Sequence, residues 1–196
     1  MKTLIGIPTN RLLQPQMVTS LINLVKKNPD VDVVLATQGY TIAENRNFLV
    51  AQAIKGGYTH LLMIDDDMIF PENTLEQLAS HDKDITGVIA HSRALPLMPV
   101  VEFFDDNELS DADRLLGRRN IPTELFQCKA VGGGVVLVNM RIFKEWQEHW
   151  FDTEVYPTGM TKTGEDSWFC YEAQKRGFEV WCDPSLKIGH IGNYIY

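Results

Sequence analysis

Residues 60–71 read HLLMIDDDMIFP, an apolar run that ends in Asp65, Asp66 and Asp67 and then turns apolar again. Two carboxylates about 5 Å apart repel by about 3 kcal/mol at an effective dielectric of about 20. Apolar flanks on both sides deny this charge the water that would screen it. A divalent cation is the usual remedy, and an oxygen-rich donor set suits Mg2+ or Mn2+. The plain alternative is a solvated loop with all three side chains facing water; the flanks favour the cation.

Outward from this stretch the chain alternates two periods. TLIGIP, VDVVLAT, THLLMI and DITGVIA are short, apolar or β-branched runs of strand type. Between them, MVTSLINLVKK carries Met17, Leu21, Leu24 and Val25 at helical spacing, and ENTLEQLASH follows Pro71 as a third helix. Thr41 and Glu44 have the spacing of a capping box opening a helix to about Lys55, which Gly56 and Gly57 stop. Strand and helix in alternation predict an α/β fold with a mostly parallel central sheet flanked by helices. Further on, VVLVN predicts a strand, residues 140–150 a helix, EDSWFCYEAQKRG a helix and FEVWCDP a last strand. Residues 105–125 are polar and read as an exposed excursion, a loop that orders over bound ligand. FDTEVYPTGMTKTG reads as irregular. No repeat or linker divides the 196 residues, so one domain is expected.

Composition excludes several classes. The net charge of −8 argues against broad nucleic-acid binding, and no apolar stretch has the length of a membrane span. The start, MKTLIGIPTN, lacks the apolar core of a signal peptide. Cys128, Cys170 and Cys182 form no disulfide framework, so a cytoplasmic setting is expected. An anionic ligand would need local cations or a metal.

In such a sheet the aspartates fall at the carboxyl end of the third strand, where open α/β sheets bind ligands. Strand alternation would put Asp65 and Asp67 on one face and Asp66 on the other. A strand followed by DDD resembles the Asp-x-Asp motif of GT-A-fold glycosyltransferases, in particular the inverting family-2-like enzymes. Three more segments follow in that family's order: IPTN, AENRNFLVAQAIKGGYTHLLMIDDD and GEDSWFCYEAQKRGFEVWCDPSLKIGH. The match runs over nearly the whole chain. It implies a single Rossmann-like GT-A domain over 1–196, with a nucleotide-binding part at about 1–104 and an acceptor and catalytic part at about 126–196.

The resemblance also implies roles. Pro8, Thr9 and Asn10 would line base and ribose, Asp65 would contact the ribose, and Asp67 with His190 would hold Mn2+ or Mg2+ on the diphosphate. Asp66 would support either neighbour in the nucleotide-sugar site. Arg46 would hold a phosphate or the base edge, against a solvated charge or an ion pair with Glu44. Gln38 stands where many members carry an acid that reads uracil, so a UDP- or a GDP-sugar donor fits equally. Asp166 would be the general base that deprotonates the acceptor, although Thr163-x-x-Asp166 also has capping-box spacing. Glu165, Gly133 and Trp168 would face the acceptor, while the glycines Gly132–Gly134 also suit a tight turn and the tryptophan also suits the core. Arg114, Arg118 and Arg119 form a small basic patch, for a diphosphate or for solvent. The competing readings are an Asp-nucleophile phosphatase and a non-catalytic sugar- or nucleotide-binding module.

Overall fold

The computed structural model describes residues 1–93, 97–104 and 121–192. Residues 105–120 of the expected ligand-covering loop, with its arginines at 114, 118 and 119, lie outside the described residues.

The central sheet has seven strands: β1 (Thr3–Pro8), β2 (Asp32–Ala36), β3 (His60–Ile64), β5 (Ile85–Val88), β8 (Phe126–Gln127), β10 (Val135–Asn139) and β13 (Val180–Asp183). Their order is β2-β1-β3-β10-β5-β13-β8. All except β10 and β8 run the same way, since those two pair antiparallel with their neighbours. The sheet is therefore the mostly parallel one expected.

Among the described residues, four helices cover both faces: α1 (Pro15–Lys27), α2 (Ile42–Lys55), α3 (Thr74–Ser80) and α4 (Glu165–Lys175). The strand period sorts the core between the faces. Leu61 and Met63 of β3 join Leu49 and Ala53 of α2 and Phe169 of α4 on one side. Leu62 and Ile64 join Met17 and Leu24 of α1 and Leu75 and Leu78 of α3 on the other. Both faces of the central strands are dry, which is why their sequences read as continuous apolar runs. The three cysteines are buried in the first of these clusters. No helix among the described residues is long and apolar enough to cross a membrane.

The α2 capping box forms as expected, with Glu44 N–H on Thr41 Oγ1 at 3.2 Å and Thr41 N–H on Glu44 Oε2 at 3.1 Å. Two expectations fail. Residues 140–150 form a short 3-10 helix, Met140–Lys144, rather than a long α-helix. Asn47 on α2 explains this: its Oδ1 accepts from Trp150 N–H at 3.1 Å and Phe151 N–H at 2.9 Å, capturing groups a helix would have used. The segment expected to be irregular forms a hairpin, β11 (Glu154–Val155) with β12 (Thr161–Thr163). Its turn closes with Gly159 N–H on Tyr156 C=O at 2.8 Å, and Gly159 takes a positive φ of 83°.

Three small pairings surround the sheet's carboxyl edge. The strand β4 (Met68–Ile69) pairs with β14 (Gly189–His190), and β6 (Ala90–His91), β7 (Pro99–Glu102) and β9 (Ala130–Val131) form a three-stranded patch. Both serve to aim residues at the aspartate turn.

Asp183, at the end of β13, ties α3 to the sheet and is 1% exposed. Its Oδ1 accepts from Ser185 N–H at 2.8 Å and Oγ at 2.6 Å, and its Oδ2 meets Gln77 Nε2 at 2.9 Å and His81 Nε2 at 2.8 Å. Burial pushes this carboxyl up, yet the bonds from Ser185, His81 and Gln77 outweigh it and hold it down at about 2. The folded pKa lies below the unfolded value of about 3.9, so the stabilisation is present above that value and is lost as pH falls towards about 2. Asp183→Asn should cost about 1–3 kcal/mol at neutral pH and flatten the fall in Tm below about pH 4. Thermal melts of both proteins across that range check it; parallel curves would remove Asp183 as the acid-sensitive tie.

Candidate active site

Strand β3 stops at Ile64, and the chain turns, with Met68 N–H reaching Asp65 C=O at 3.3 Å. The turn breaks the expected alternation. Asp65 points to Arg46, whereas Asp66 and Asp67 both meet Arg11. A strand rule does not extend past the last paired residue, and Ile64 is that residue.

Arg46 lies beneath the turn and is 2% exposed. Its Nη2 donates to Asp65 Oδ1 at 2.7 Å, its Nε lies 3.4 Å from Glu165 Oε1, and both Nη atoms lie 3.4 Å from Gly133 C=O. Burial works against the charged guanidinium, but Asp65, Glu165 and Asp166 outweigh it and raise its pKa. Arg46, expected to hold a phosphate or the base edge, is here a buried counter-ion, and Glu44 is engaged at the helix cap instead of pairing with it. Burial pushes the Asp65 carboxyl up to about 6, opposed by Arg46 and reinforced by Asp67 and Glu165.

Asp66 is buried, and Thr9 Oγ1 donates to its Oδ2. Thr9 itself is 1% exposed, so its side chain locks the β1–α1 loop to the aspartate turn rather than lining an open pocket. Pro8 is also buried, while Asn10 and Gln38 are exposed at the ends of β1 and β2. Asn45, buried on α2, joins these two loops: its amide meets that of Asn10 at 2.7 Å, and its Oδ1 accepts from Gly39 N–H at 2.8 Å.

Asp67 is buried and carries the most cationic surroundings. Its Oδ2 accepts from Arg11 Nη2 at 2.6 Å and Arg93 Nη1 at 2.9 Å. Its Oδ1 lies 3.2 Å from His190 Nε2. The β4–β14 pairing delivers the imidazole, helped by Ile191 N–H on Asp67 C=O at 2.8 Å. His190 Nδ1 lies 2.8 Å from His91 C=O, and a carbonyl only accepts, so Nδ1 carries the proton. In a neutral imidazole Nε2 is then a second acceptor facing a carboxylate. Only a proton or a metal cation reconciles them, and a backbone-anchored Nδ1–H is the arrangement that orients metal-binding imidazoles. The pair therefore fits a divalent ion. The described residues hold no group of three or more His, Cys, Asp or Glu suited to a metal. Water or ligand oxygens would complete the shell, as is usual for Mg2+.

Gly133 and Gly134 link the aspartate turn to the start of α4. Asp65 N–H donates to Gly134 C=O at 2.9 Å, and Gly133 N–H donates to Asp166 Oδ2 at 3.1 Å. The N-cap of α4 is Gly164, with no side-chain cap, so the alternative capping box from Thr163 does not form; Thr163 Oγ1 instead reaches Glu154 Oε2 at 3.2 Å. Asp166 Oδ1 does accept from Ser167 N–H at 2.8 Å within the first turn. The carboxylate is partly exposed beside Glu165. Trp168 packs on the buried cluster, the core role its position also allowed. Sequence reasoning missed Arg11, Arg93 and Asn45. Arg11 directly follows IPTN, and a buried triple acid demands cations, which is the signal that could have singled it out.

No family model and no curated protein matches the chain. Solved structures do. A197 from STIV superposes with a TM-score of 0.66 at 16% identity, over 97% of this chain and 86% of that one. GalNAc-T7, solved with UDP, GalNAc and Mn2+, gives 0.59 at 14% identity over 99% of this chain. TarS 1-349 of S. aureus gives 0.52 at 13% identity over 97% of this chain. The chain spans 43% and 60% of those two structures, both GT-A-type glycosyltransferases. Its fold is the GT-A fold.

A Cβ at Gly133 would lie 2.2 Å from Arg46 Nη2. Gly133→Ala should therefore displace the guanidinium or the turn, at a cost of about 1–3 kcal/mol. Combining it with Arg46→Lys should be less than additive in denaturant melts; strict additivity would place the collision elsewhere.

Proposed function

We propose that this chain is a divalent-metal-dependent glycosyltransferase that moves a sugar from a UDP- or GDP-sugar to an acceptor hydroxyl with inversion. The observation that carries the reading is the convergence of Asp67 with a backbone-oriented His190 at the carboxyl edge of a GT-A sheet. The donor site would take residues about 1–104, and the acceptor would meet the part at about 126–196. Mn2+ or Mg2+ held by Asp67 and His190 would supply Lewis-acid stabilisation of the leaving nucleoside diphosphate. Asp65, a third exposed, is available to the ribose through the carboxylate edge that Arg46 does not take. Exposed Asn10 and Gln38 offer amides to a base edge, with Asn45 holding the first in place.

Asp166 is the group suited to the proton. It would accept the acceptor's hydroxyl hydrogen as that oxygen bonds to the anomeric carbon; the carbon–phosphate-oxygen bond breaks and the diphosphate leaves with its electron pair. The bond from Gly133 N–H fixes Oδ2 and limits which lone pair faces the acceptor. Glu165, beside it, orients the acceptor while balancing Arg46. The phosphatase alternative needs its aspartates after a first strand, and here they follow the third.

Melting-temperature screens of nucleotide sugars with and without Mn2+ identify the donor, since a ligand of the folded state raises Tm. UDP or GDP binding should require the cation, and Asp67→Ala should abolish that requirement; equal affinity in EDTA and in Mn2+ would overturn metal dependence. With the donor known, Asp166→Asn should lower transfer by about 100-fold or more while donor affinity persists. A folded Asp166→Asn protein with near-normal transfer removes it as the base, and binding without turnover across an acceptor panel would leave a non-catalytic module.

A further inference from the structure

We propose that Arg11, with Arg93 beside it, is the resident counter-ion of the aspartate turn in the donor-free protein, and moves onto the donor's diphosphate when a divalent cation takes Asp67. The inference rests on the donor-site reading above and adds to it a residue that binds the leaving group.

The geometry of the two arginines differs from that of Arg46. Arg46 is sealed under the turn, whereas the side chains of Arg11 and Arg93 are 50% and 51% exposed. Arg11 grips both buried acids: Nε lies 3.0 and 3.1 Å from the Asp66 oxygens, and Nη2 lies 2.7 Å from Asp66 Oδ1 and 2.6 Å from Asp67 Oδ2. A guanidinium stays charged at any physiological pH, so the cation is permanent. Arg93 adds a second guanidinium on Asp67 Oδ2. Two cations therefore sit on the carboxylate that a metal would need.

A divalent ion held by Asp67 Oδ1 and His190 would share one carboxylate with the two guanidinium groups on Oδ2 and repel them. Without a new acceptor, that repulsion weakens metal binding. A diphosphate offers the acceptor. Its paired oxygens match the planar fork of a guanidinium, and the half-exposed side chains can swing without unpacking the core. Arg11 can keep Asp66, which Thr9 also holds, and release only Asp67. Metal and nucleotide would then bind with positive coupling, each improving the other by the same factor.

The test reads two affinities on one variant, Arg11→Gln. Free Mn2+ counted by electron paramagnetic resonance, with no nucleotide, should show the variant binding Mn2+ about 5-fold or more tighter than wild type, because a repelling charge is gone. Calorimetry with UDP and with GDP in saturating Mn2+ should show the nucleoside diphosphate bound about 10-fold or more weaker. A merely structural staple moves both affinities down together. That outcome, or no change in either, overturns the proposal. Should Arg11→Gln fail to fold, Arg93→Gln carries the same opposite-sign test from the other side of Asp67. Wild-type protein that binds neither Mn2+ nor either nucleotide removes the donor site itself, and this inference with it; wild-type binding with like-signed changes removes this inference alone.

Discussion

A guanidinium that is 2% exposed has to find acceptors inside the fold, and Arg46 finds two carboxylates and a backbone carbonyl on three different segments. It stands on α2, reaches Asp65 past the end of β3, lies against Glu165 at the start of α4, and sits under the carbonyl of Gly133 before β10. Removing any one partner would leave charge in a place that water barely reaches, which is far costlier than losing a surface pair. The approach is so close that position 133 has no room for a Cβ. One buried cation thus sets the spacing between the aspartate turn and the helix that carries Asp166. The aspartate turn and the start of α4 are held at one distance by an ion pair network, not by loops.

That network covers only part of the acidic charge. Asp66 and Asp67 are buried beyond the reach of Arg46 and are neutralised from the solvent side by Arg11 and Arg93. The division is physically sensible. A counter-ion that must stay is buried and paired from below; counter-ions that could leave are half-exposed and approach from above. The His190 imidazole adds a third, directional contact on Asp67, aimed by the short β4–β14 pairing.

Much of this was legible before any coordinates. Dry central strands betray themselves as unbroken apolar runs, and the capping box at Thr41 and Glu44 is local chemistry, so both survive into the fold. The ordered motifs around DDD led to the GT-A fold, and Asp67 and His190 meet although 123 residues separate them (190 − 67 = 123). What failed depended on contacts that no local rule contains. Asn47 takes the backbone hydrogens that a helix through Trp150 would need. The capping box that was the alternative reading of Asp166 is likewise absent, because Gly164 caps α4 and Thr163 is held in the hairpin by Glu154. The partners of Arg11 lie 55 and 56 residues away, so its role was invisible to spacing arguments.

Three identical, adjacent side chains also end in three different states, and the cause is the turn at Ile64. Asp65 rests on the buried Arg46 yet feels Asp67 and Glu165, so its carboxyl is pushed up to about 6 by burial and like charge. Its folded pKa lies above the unfolded one, so the proton is favoured in the fold, and stability attributable to Asp65 falls as pH rises through about 6. At neutral pH the turn therefore carries an electrostatic load. Asp66 bears none of the work towards solvent, since Thr9 and Arg11 consume its oxygens. Asp67 alone faces a histidine, with His190 Nε2 3.2 Å from its Oδ1. A continuous strand would have given Asp65 and Asp67 one environment and left Asp66 on the opposite face of the sheet. By ending the strand at Ile64, the fold separates a carboxylate that balances a core cation, one that locks a loop, and one ringed by two half-exposed arginines and His190.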